Sequence, residues 1–412
     1  MTTTTITERR RLTALRAAWL FDGTSSTLTA NPMVVLDRGT IVAVDAATDP
    51  PDGAEVVDLP GATLLPGLID THVHLAFDAS TDPVGHLAAR DDDAALAAMA
   101  DAAWTASRGG VTTVRDLGDR NYLALTLREA APSVGLLPTI VAAGPPITTP
   151  GGHCHFLGGA TTGVDGVRAA VREHVERGVE VIKIMASGGA LTPGTRPELP
   201  QFSGEELRAA VDEAHRHSLP ITAHAHGTPA IAAAVAAGVD GVEHASFVTA
   251  DGVDVAPENL IRAIADRRII LGVTGGFAPV PGAALPPAVA VRLPAIIANF
   301  RRLHQAGAPI VIGSDAGIGP MKPPDVLRWG VGQLAEIGLS PVAALRTTTS
   351  QAAAVCGLGH RKGRLAPGFD ADILAVDGNP LTDSAALHRI RAVFIRGSAV
   401  PAASGRQAGG AG

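Results

Sequence analysis

Short apolar runs alternate with amphipathic stretches along most of the chain, beginning near residue 63. The amphipathic stretches have helical periodicity; Val167, Val171 and His174, for example, fall on one face of a helix. Ser203 and Glu206 form a capping-box pattern at the start of another predicted helix. The apolar runs are predicted to be strands, and they cover residues 63–69, 111–115, 139–143, 179–185, 221–224, 241–244, 269–274 and 309–314.

This alternation predicts an α/β fold, because eight β/α units over roughly 290 residues fit a (β/α)8 TIM barrel. The two ends of the chain have a different pattern, with short strands and Gly-containing turns but little helical periodicity. Strands are predicted there at residues 15–21, 33–37, 40–44, 56–59, 371–376 and 392–395. We therefore predict a TIM barrel over residues 63–362 and a small β-sandwich-like domain formed by residues 1–62 and 363–412.

Composition narrows the choice of partners and location. Hydrophobic residues make up 46% of the chain but aromatic residues only 3%, so the core must consist of Ala, Val, Leu and Ile. The net charge is −7 and the basic residues form no long run, which argues against nucleic acid as a partner. Cys154 and Cys356 are too few for a disulfide framework. With no signal-peptide pattern in residues 1–20 and no membrane-spanning segment, we expect a cytoplasmic protein without a membrane partner.

The strongest chemical signal is the pair His72 and His74, which closes the first predicted barrel strand. Residues i and i+2 of a strand point to the same side, so both imidazoles face one point. Imidazole is a preferred ligand of zinc and of neighbouring metals. The pair therefore predicts half of a metal site.

Further candidate ligands fall at the ends of later strands, which is where a TIM barrel carries its active site. His224 and His244 end the fifth and sixth runs, and Asp315 follows the eighth. Lys183 lies inside the fourth run, where a buried ammonium without a partner would be unfavourable and would repel a cation. Reaction with carbon dioxide would convert this amine into an anion able to bridge two metals. The alternative is an ion-paired or snorkelling lysine.

These motifs resemble the amidohydrolase superfamily, and the resemblance spans nearly the whole chain. The motifs that carry it are residues 65–74 (Leu-Pro-Gly-Leu-Ile-Asp-Thr-His-Val-His), 313–317 (Gly-Ser-Asp-Ala-Gly) and 362–373 (Lys-Gly-Arg-Leu-Ala-Pro-Gly-Phe-Asp-Ala-Asp-Ile). Four others are similar to the imidazolonepropionase-like branch, which includes metal-dependent prolidases, dipeptide carboxypeptidases and ochratoxin amidases. They are residues 183–189 (Lys-Ile-Met-Ala-Ser-Gly-Gly), 200–203 (Pro-Gln-Phe-Ser), 223–227 (Ala-His-Ala-His-Gly) and 241–245 (Gly-Val-Glu-His-Ala).

The resemblance implies a centre of two divalent metal ions, with zinc as the expected metal and a lysine carboxylated by carbon dioxide as the bridge. It also implies that the two metals share a hydroxide of lowered pKa, which attacks an amide carbonyl polarised by one of them. An aspartate takes the proton as general base and returns it to the leaving nitrogen. The implied residues are His72, His74 and Asp315 for the first metal, His224 and His244 for the second, Lys183 as the bridge, and Asp315 as the catalytic base and acid.

Three more residues are candidates for binding the substrate. His226 shares a strand face with His224, and the alternative is a structural histidine. His153 follows the third strand; the resemblance favours a substrate or oxyanion contact, and the alternative is loop packing. Arg115 and Asp116 end the second strand, so Arg115 is either an anchor for a substrate carboxylate or part of an ion pair.

The predicted function is hydrolysis of the amide bond of a dipeptide or N-acyl amino acid, as in an Xaa-Pro dipeptidase or carboxypeptidase. A cyclic amidase or lactonase of the same superfamily is the alternative within enzymes. A non-catalytic assembly protein on this fold is the alternative outside them, although all the ligand positions are filled. The expected partner is a small-molecule substrate, and a homo-oligomer is expected.

Overall fold

The structure of the chain is a computed structural model that describes residues 12–46, 49–134 and 136–401. The outer parts of the predicted small domain, residues 1–11 and 402–412, lie outside the described residues. The structure is of the α/β class. Its strands are β1 (Thr13–Leu20), β2 (Thr29–Ala30), β3 (Pro32–Asp37), β4 (Thr40–Ala46), β5 (Glu55–Pro66), β6 (Leu68–Val73), β7 (Val111–Asp116), β8 (Thr139–Ala142), β9 (Ile182–Met185), β10 (Ile221–Ala225), β11 (Gly241–His244), β12 (Ile270–Thr274), β13 (Ile310–Gly313), β14 (Ile373–Asp377), β15 (Ile390–Ile395) and β16 (Ser398–Ala399).

Helices follow the strands of the central part of the chain. They are α1 (Pro83–Ala88), α2 (Asp92–Arg108), α3 (Leu123–Val134), α4 (Gly163–Arg177), α5 (Gly204–Arg216), α6 (Thr228–Ala237), α7 (Glu258–Asp266), α8 (Pro287–Gln305), α9 (Leu327–Gln333), α10 (Pro341–Arg346) and α11 (Ser350–Val355). The predicted capping box is confirmed at the start of α5, where Ser203 and Glu206 each bind the other's backbone N–H. The predicted apolar face of α4 is buried through Val167, Val171 and His174.

The eight central strands are all parallel and form two sheets, one in the order β6-β7-β8 and the other in the order β13-β12-β11-β10-β9. Backbone hydrogen bonds link the two sheets at both pairs of edges. The Asp315 N–H donates to the His72 carbonyl at 2.7 Å, and the Ile147 N–H donates to the Lys183 carbonyl at 2.8 Å. Because the strands are parallel, their carboxyl ends lie on one side of the molecule, and the side chains that follow them converge there.

The predicted strand at residues 63–69 is wrong as a single element. Residues 63–66 are the end of the long strand β5, and the first central strand, β6, begins at Leu68. Gly67 separates them at a close approach, since a Cβ there would come within 2.2 Å of the Thr112 side chain. Both segments are apolar and buried, so hydrophobicity alone does not reveal that the chain passes from one sheet to another at this glycine.

The described segments near the two ends of the chain form one continuous sheet in the order β16-β15-β14-β5-β1-β3-β4, with β2 paired to β1. The prediction was a sandwich-like arrangement; hydrogen bonding instead joins all eight strands. β5 makes the connection, because it pairs parallel with β1 on one side and antiparallel with β14 on the other. Strand periodicity does not specify pairing partners, which explains the difference.

Candidate metal-binding active site

His72, His74 and Asp315 form a first cluster at the carboxyl ends of β6 and β13. One ligand atom of each lies within 4.8 Å of those of the other two. Asp315 Oδ1 is 3.3 Å from His74 Nε2 and 3.7 Å from His72 Nε2. The Asp315 backbone has a φ of 57° and donates its N–H to the His72 carbonyl. This local geometry turns the carboxylate toward the two imidazoles.

The remote nitrogens of both histidines are fixed by hydrogen bonds. His72 Nδ1 lies 2.9 Å from Glu243 Oε2, and His74 Nδ1 lies 3.1 Å from the Gly118 carbonyl. Both partners are acceptors, so each Nδ1 carries a proton and donates it, and each Nε2 faces the cluster. This is the orientation that a pair of metal-ligating histidines requires.

Charge in the first cluster suits cation binding. Burial would raise the pKa of Asp315, but the hydrogen bond from His74 and the neighbouring positive charges hold that pKa well below its usual range. Burial, together with the charge of Lys183, lowers the pKa of His72 to about 4 despite the hydrogen bond to Glu243. Asp315 is therefore ionised and His72 neutral at physiological pH, as metal ligands must be. Burial would lower the pKa of His74, but the hydrogen bond to Asp315 and the Asp315 charge raise that pKa, so a metal would displace a proton from His74 Nε2.

His224, His226 and His244 form a second cluster at the ends of β10 and β11, again with ligand atoms within 4.8 Å of one another. His224 Nε2 donates to the Gly188 carbonyl at 3.0 Å, which leaves Nδ1 available. His226 and His244 use Nδ1 in hydrogen bonds to the hydroxyls of Ser246 and Thr274, at 2.8 and 3.2 Å. Burial lowers the pKa of all three imidazoles, that of His226 to about 4, so they are neutral and can donate lone pairs.

Lys183 lies beside the first cluster, where its Nζ is 3.5 Å from His72 Nε2. The side chain is fully buried on β9 and lines the same cavity as His74, His224 and His244. Burial lowers the pKa of Lys183 to about 8, against the opposing effect of the Glu243 and Asp315 charges. A larger fraction of the amine is consequently uncharged than in an exposed lysine, and the uncharged amine is the form that reacts with carbon dioxide.

The donor set fits a pair of divalent metals. Imidazole nitrogens and a carboxylate oxygen are ligands that zinc takes in catalytic sites, and each cluster provides three side chains with such atoms. The hydrogen bonds to the remote nitrogens supply the outer shell that orients such ligands. Cys154 is buried near the site, and burial raises the pKa of its thiol to about 12, so it offers no thiolate.

His153 lies in the cavity, whereas Arg115 does not. The His153 ring is 4.7 Å from that of His224, and His153 Nδ1 is buried without a hydrogen-bond partner among the described residues. Arg115 lies beneath the site, where Nε donates to the Thr71 carbonyl at 2.7 Å and Nη2 to Glu243 Oε1 at 2.9 Å. The structure thus places Arg115 in an ion pair, with Glu243 rather than Asp116 as the partner.

Glu243 and Lys322 were not among the predicted site residues. Glu243 accepts hydrogen bonds from Arg115, Thr222 and His72, and the Arg115 charge contributes most to holding its pKa far below the usual range against the effect of burial. The available signal was a carboxylate inside the buried four-residue strand β11. Lys322 follows β13 in a loop, and no periodicity marks it.

Lys322 is a buried cation in the wall of the cavity. Its Nζ donates to the Ser314 carbonyl at 2.8 Å and to the Gly275 carbonyl at 3.3 Å, and it lies 4.2 Å from the centre of the Phe277 ring. Burial lowers the pKa of Lys322 to about 8, with the charges of Asp315 and Asp70 opposing the shift. It remains mostly protonated at neutral pH.

The chain belongs to the amidohydrolase family, whose model matches residues 63–400. Ochratoxinase of Aspergillus niger is 28% identical over 424 aligned positions, which cover 94% of this chain and 85% of that enzyme. Imidazolonepropionase of Deinococcus deserti is 26% identical, with 86% of this chain and 87% of that enzyme covered. A solved Xaa-Pro dipeptidase with methionine bound in its active site superposes with a TM-score of 0.82 at 26% identity, covering 94% of this chain and 99% of that one. The chain is therefore a hydrolase that acts on amide bonds, which confirms the predicted superfamily and excludes the non-catalytic alternative.

Proposed function

We propose that the chain is a binuclear zinc amidohydrolase that cleaves the amide bond of a dipeptide or N-acyl amino acid. The observation that carries this proposal is the pair of buried ligand clusters at the carboxyl ends of the central strands, with Lys183 beside them. In the proposed assignment, His72, His74 and Asp315 would hold one metal, His224 and His244 would hold the other, and Lys183, carboxylated by carbon dioxide, would supply an anionic ligand to both. The metals would supply a water of lowered pKa and polarise the substrate carbonyl.

Asp315 would transfer the proton of the attacking water. The Asp315 carboxylate accepts the proton that the attacking water loses and delivers it to the leaving nitrogen, because an amine is a poor leaving group without it. His74 lies 3.3 Å from Asp315 Oδ1 and fixes the position of the carboxylate. His153 and His226 line the same cavity and are proposed to contact the substrate.

We also propose that the eight central strands close into one TIM barrel. The backbone hydrogen bonds at both pairs of sheet edges, Asp315 to His72 and Ile147 to Lys183, support this arrangement. A closed barrel would hold the six proposed ligands, which come from five strand ends, around one point, as this site requires.

The substrate is proposed to carry a free carboxylate on its amine half. Lys322 supports this proposal, because a buried ammonium in the cavity wall offers a charged partner for such a group. In the related Xaa-Pro dipeptidase the bound ligand, methionine, is itself an amine with a carboxylate.

Comparison of a dipeptide acid with its C-terminal amide tests the substrate class. If Lys322 pairs with the carboxylate, the amide should lose a factor of about ten to several hundred in kcat/KM. Lys322→Met should lower kcat/KM on the acid much more than on the amide. Equal rates on both substrates, or activity confined to cyclic imides and lactones, would instead favour the cyclic amidase or lactonase.

A further inference from the structure

Part of the cavity wall is aliphatic and runs from the ends of β12 and β13 to helix α8. The cavity has a volume of about 680 Å³ and extends from the two clusters to helix α8 and the ends of β12 and β13. We call this aliphatic part the chamber; it is bounded by Val273, Leu293, Ile296, Ile297, Phe300 and Ile312. Cavities of this volume hold ligands considerably larger than a single amino acid.

Polar residues near the chamber are directed to the backbone or to solvent. Arg292 donates to the carbonyls of Ala250 and Gly252, at 2.8 and 3.2 Å. The Gln333 side-chain oxygen accepts the Gly276 N–H at 2.9 Å, and Glu336 is exposed. Lys322, at the ends of β12 and β13, donates to the Ser314 and Gly275 carbonyls on the side of the chamber nearest Asp315. Beyond Lys322 the chamber offers a ligand apolar surface.

Close packing of the chain fixes one side of the chamber. Gly275 and Gly330 lie against Ile312, because a Cβ on either would come within 2.9 or 2.6 Å of Ile312 Cδ1. Ile312 is thereby held in place, while Leu293 and Ile296 on α8 are only partly buried. Aliphatic side chains that line a cavity lack partner atoms on that side, so a bound aliphatic group would supply the missing contacts.

We propose that the chamber binds an aliphatic acyl chain, so that the substrate is an N-acyl amino acid with a chain much longer than acetyl. This inference rests on the proposed function, in which the amine half carries the carboxylate. An aliphatic wall cannot stabilise that charge and suits the other half of the molecule. In the reaction, water adds across the amide, the C–N bond breaks, and the products are the carboxylic acid of the chain and the free amino acid.

A series of N-acylglycines tests the inference with the metal-loaded enzyme. Extension of the chain from acetyl to octanoyl should raise kcat/KM by up to about fourfold per methylene until the chamber is filled. N-acetyl-2-aminooctanoic acid is an isomer of N-octanoylglycine with the chain on the amine half. N-octanoylglycine should be the much better substrate of the two.

Two variants of α8 provide a matched comparison. Ile296→Trp places extra volume in the chamber and should reduce the octanoyl-to-acetyl ratio of kcat/KM by at least about tenfold. Val291→Trp makes the same kind of change on the same helix, but Val291 is 81% exposed and outside the cavity, so the ratio should stay at the wild-type value. Leu293→Trp repeats the test at a second chamber position.

The outcomes separate the inference from the function on which it rests. Hydrolysis of the whole series with no dependence on chain length, or preference for the isomer with the chain on the amine half, would overturn the chamber assignment alone. Hydrolysis of dipeptides but of no N-acyl amino acid would overturn the inference alone. Failure of enzyme that holds two metals to hydrolyse any dipeptide or N-acyl amino acid would overturn the proposed function and the inference together. If kcat/KM rises with chain length in wild type and Val291→Trp but not in the chamber variants, the proposed function and the inference are both supported.

Discussion

Glu243 is the side chain that connects the proposed ligands with the interior beneath them. Its two oxygens receive hydrogen bonds from His72, Arg115 and Thr222, and all four side chains are buried. The ionised carboxylate requires a proton on His72 Nδ1 and so leaves the lone pair of Nε2 for the metal. Glu243 is thus a positioning residue, which acts through His72.

Glu243→Gln should weaken metal binding about 10- to 100-fold. The amide nitrogen of Gln can donate to His72 Nδ1, which would place the imidazole proton on Nε2 and remove the ligand lone pair. Metal affinity, measured by competition with a chelator, checks this. Glu258→Gln is the control, since Glu258 pairs with Arg302 at the surface; equal affinities in both variants would contradict the positioning role.

Lys183 should give a pH-dependent reactivation of metal-free enzyme. Because its pKa is lowered to about 8, the uncharged amine becomes the main form as pH rises through that value. Reactivation with zinc should be accelerated by bicarbonate, and more strongly at about pH 8.5 than at about pH 6.5. Metal-free Lys183→Arg should not regain activity with zinc. If the rate of wild-type reactivation does not depend on bicarbonate at either pH, the result argues against carboxylation.

Residue type and strand position predicted as ligands five of the six side chains that meet at the two clusters, and the sixth is His226, which was predicted to contact the substrate. His72, His74, His224, His244 and Asp315 all follow or end parallel strands, so the fold brings them together. Arg115 also ends a strand, but its role depends on Glu243, which is 128 residues away in the sequence. Lys322 belongs to a loop, whose path no periodic pattern specifies. The role of such a residue depends on partners that are distant in sequence, and the pattern of strands and residue types does not specify those partners.

At the scale of elements, the boundary between the terminal sheet and the central strands depends on a few specific contacts. The Gly67 N–H donates to the Asp372 carbonyl at 2.9 Å, where β5 passes into β6 beside β14. The side chain of Asp372 also pairs with buried Lys362, which reaches Asp370 at 2.9 Å. The sequence indicated a return to the small sheet near residue 362, but it did not reveal that one lysine joins these carboxylates.

Lys362→Met should lower the free energy of unfolding by about 3 kcal/mol, because it leaves a buried carboxylate without its partner. Arg361→Met is the control, since Arg361 is half-exposed and lies 3.5 Å from Asp370. That change should cost no more than about 1 kcal/mol. Chemical denaturation of the metal-loaded protein measures both, and similar losses in the two variants would refute the special role of Lys362.

At the scale of the whole molecule, both ends of the chain build one sheet, and the centre builds the active site. The core is aliphatic, as the small aromatic content predicted. In the described part of the chain, no helix has the length and apolar character needed to cross a bilayer. The division into domains at residues 62 and 362, the cytoplasmic location and the homo-oligomeric state stay predictions.

The metal content of the purified enzyme tests the central claim most directly. Elemental analysis of active protein should find close to two divalent ions per chain, and removal of them by a chelator should abolish amide hydrolysis. Asp315→Asn should be folded but inactive, because Asp315 lies at the strand ends rather than in the packed core. Full activity with a single ion per chain, or activity that survives complete removal of metal, would contradict the binuclear site.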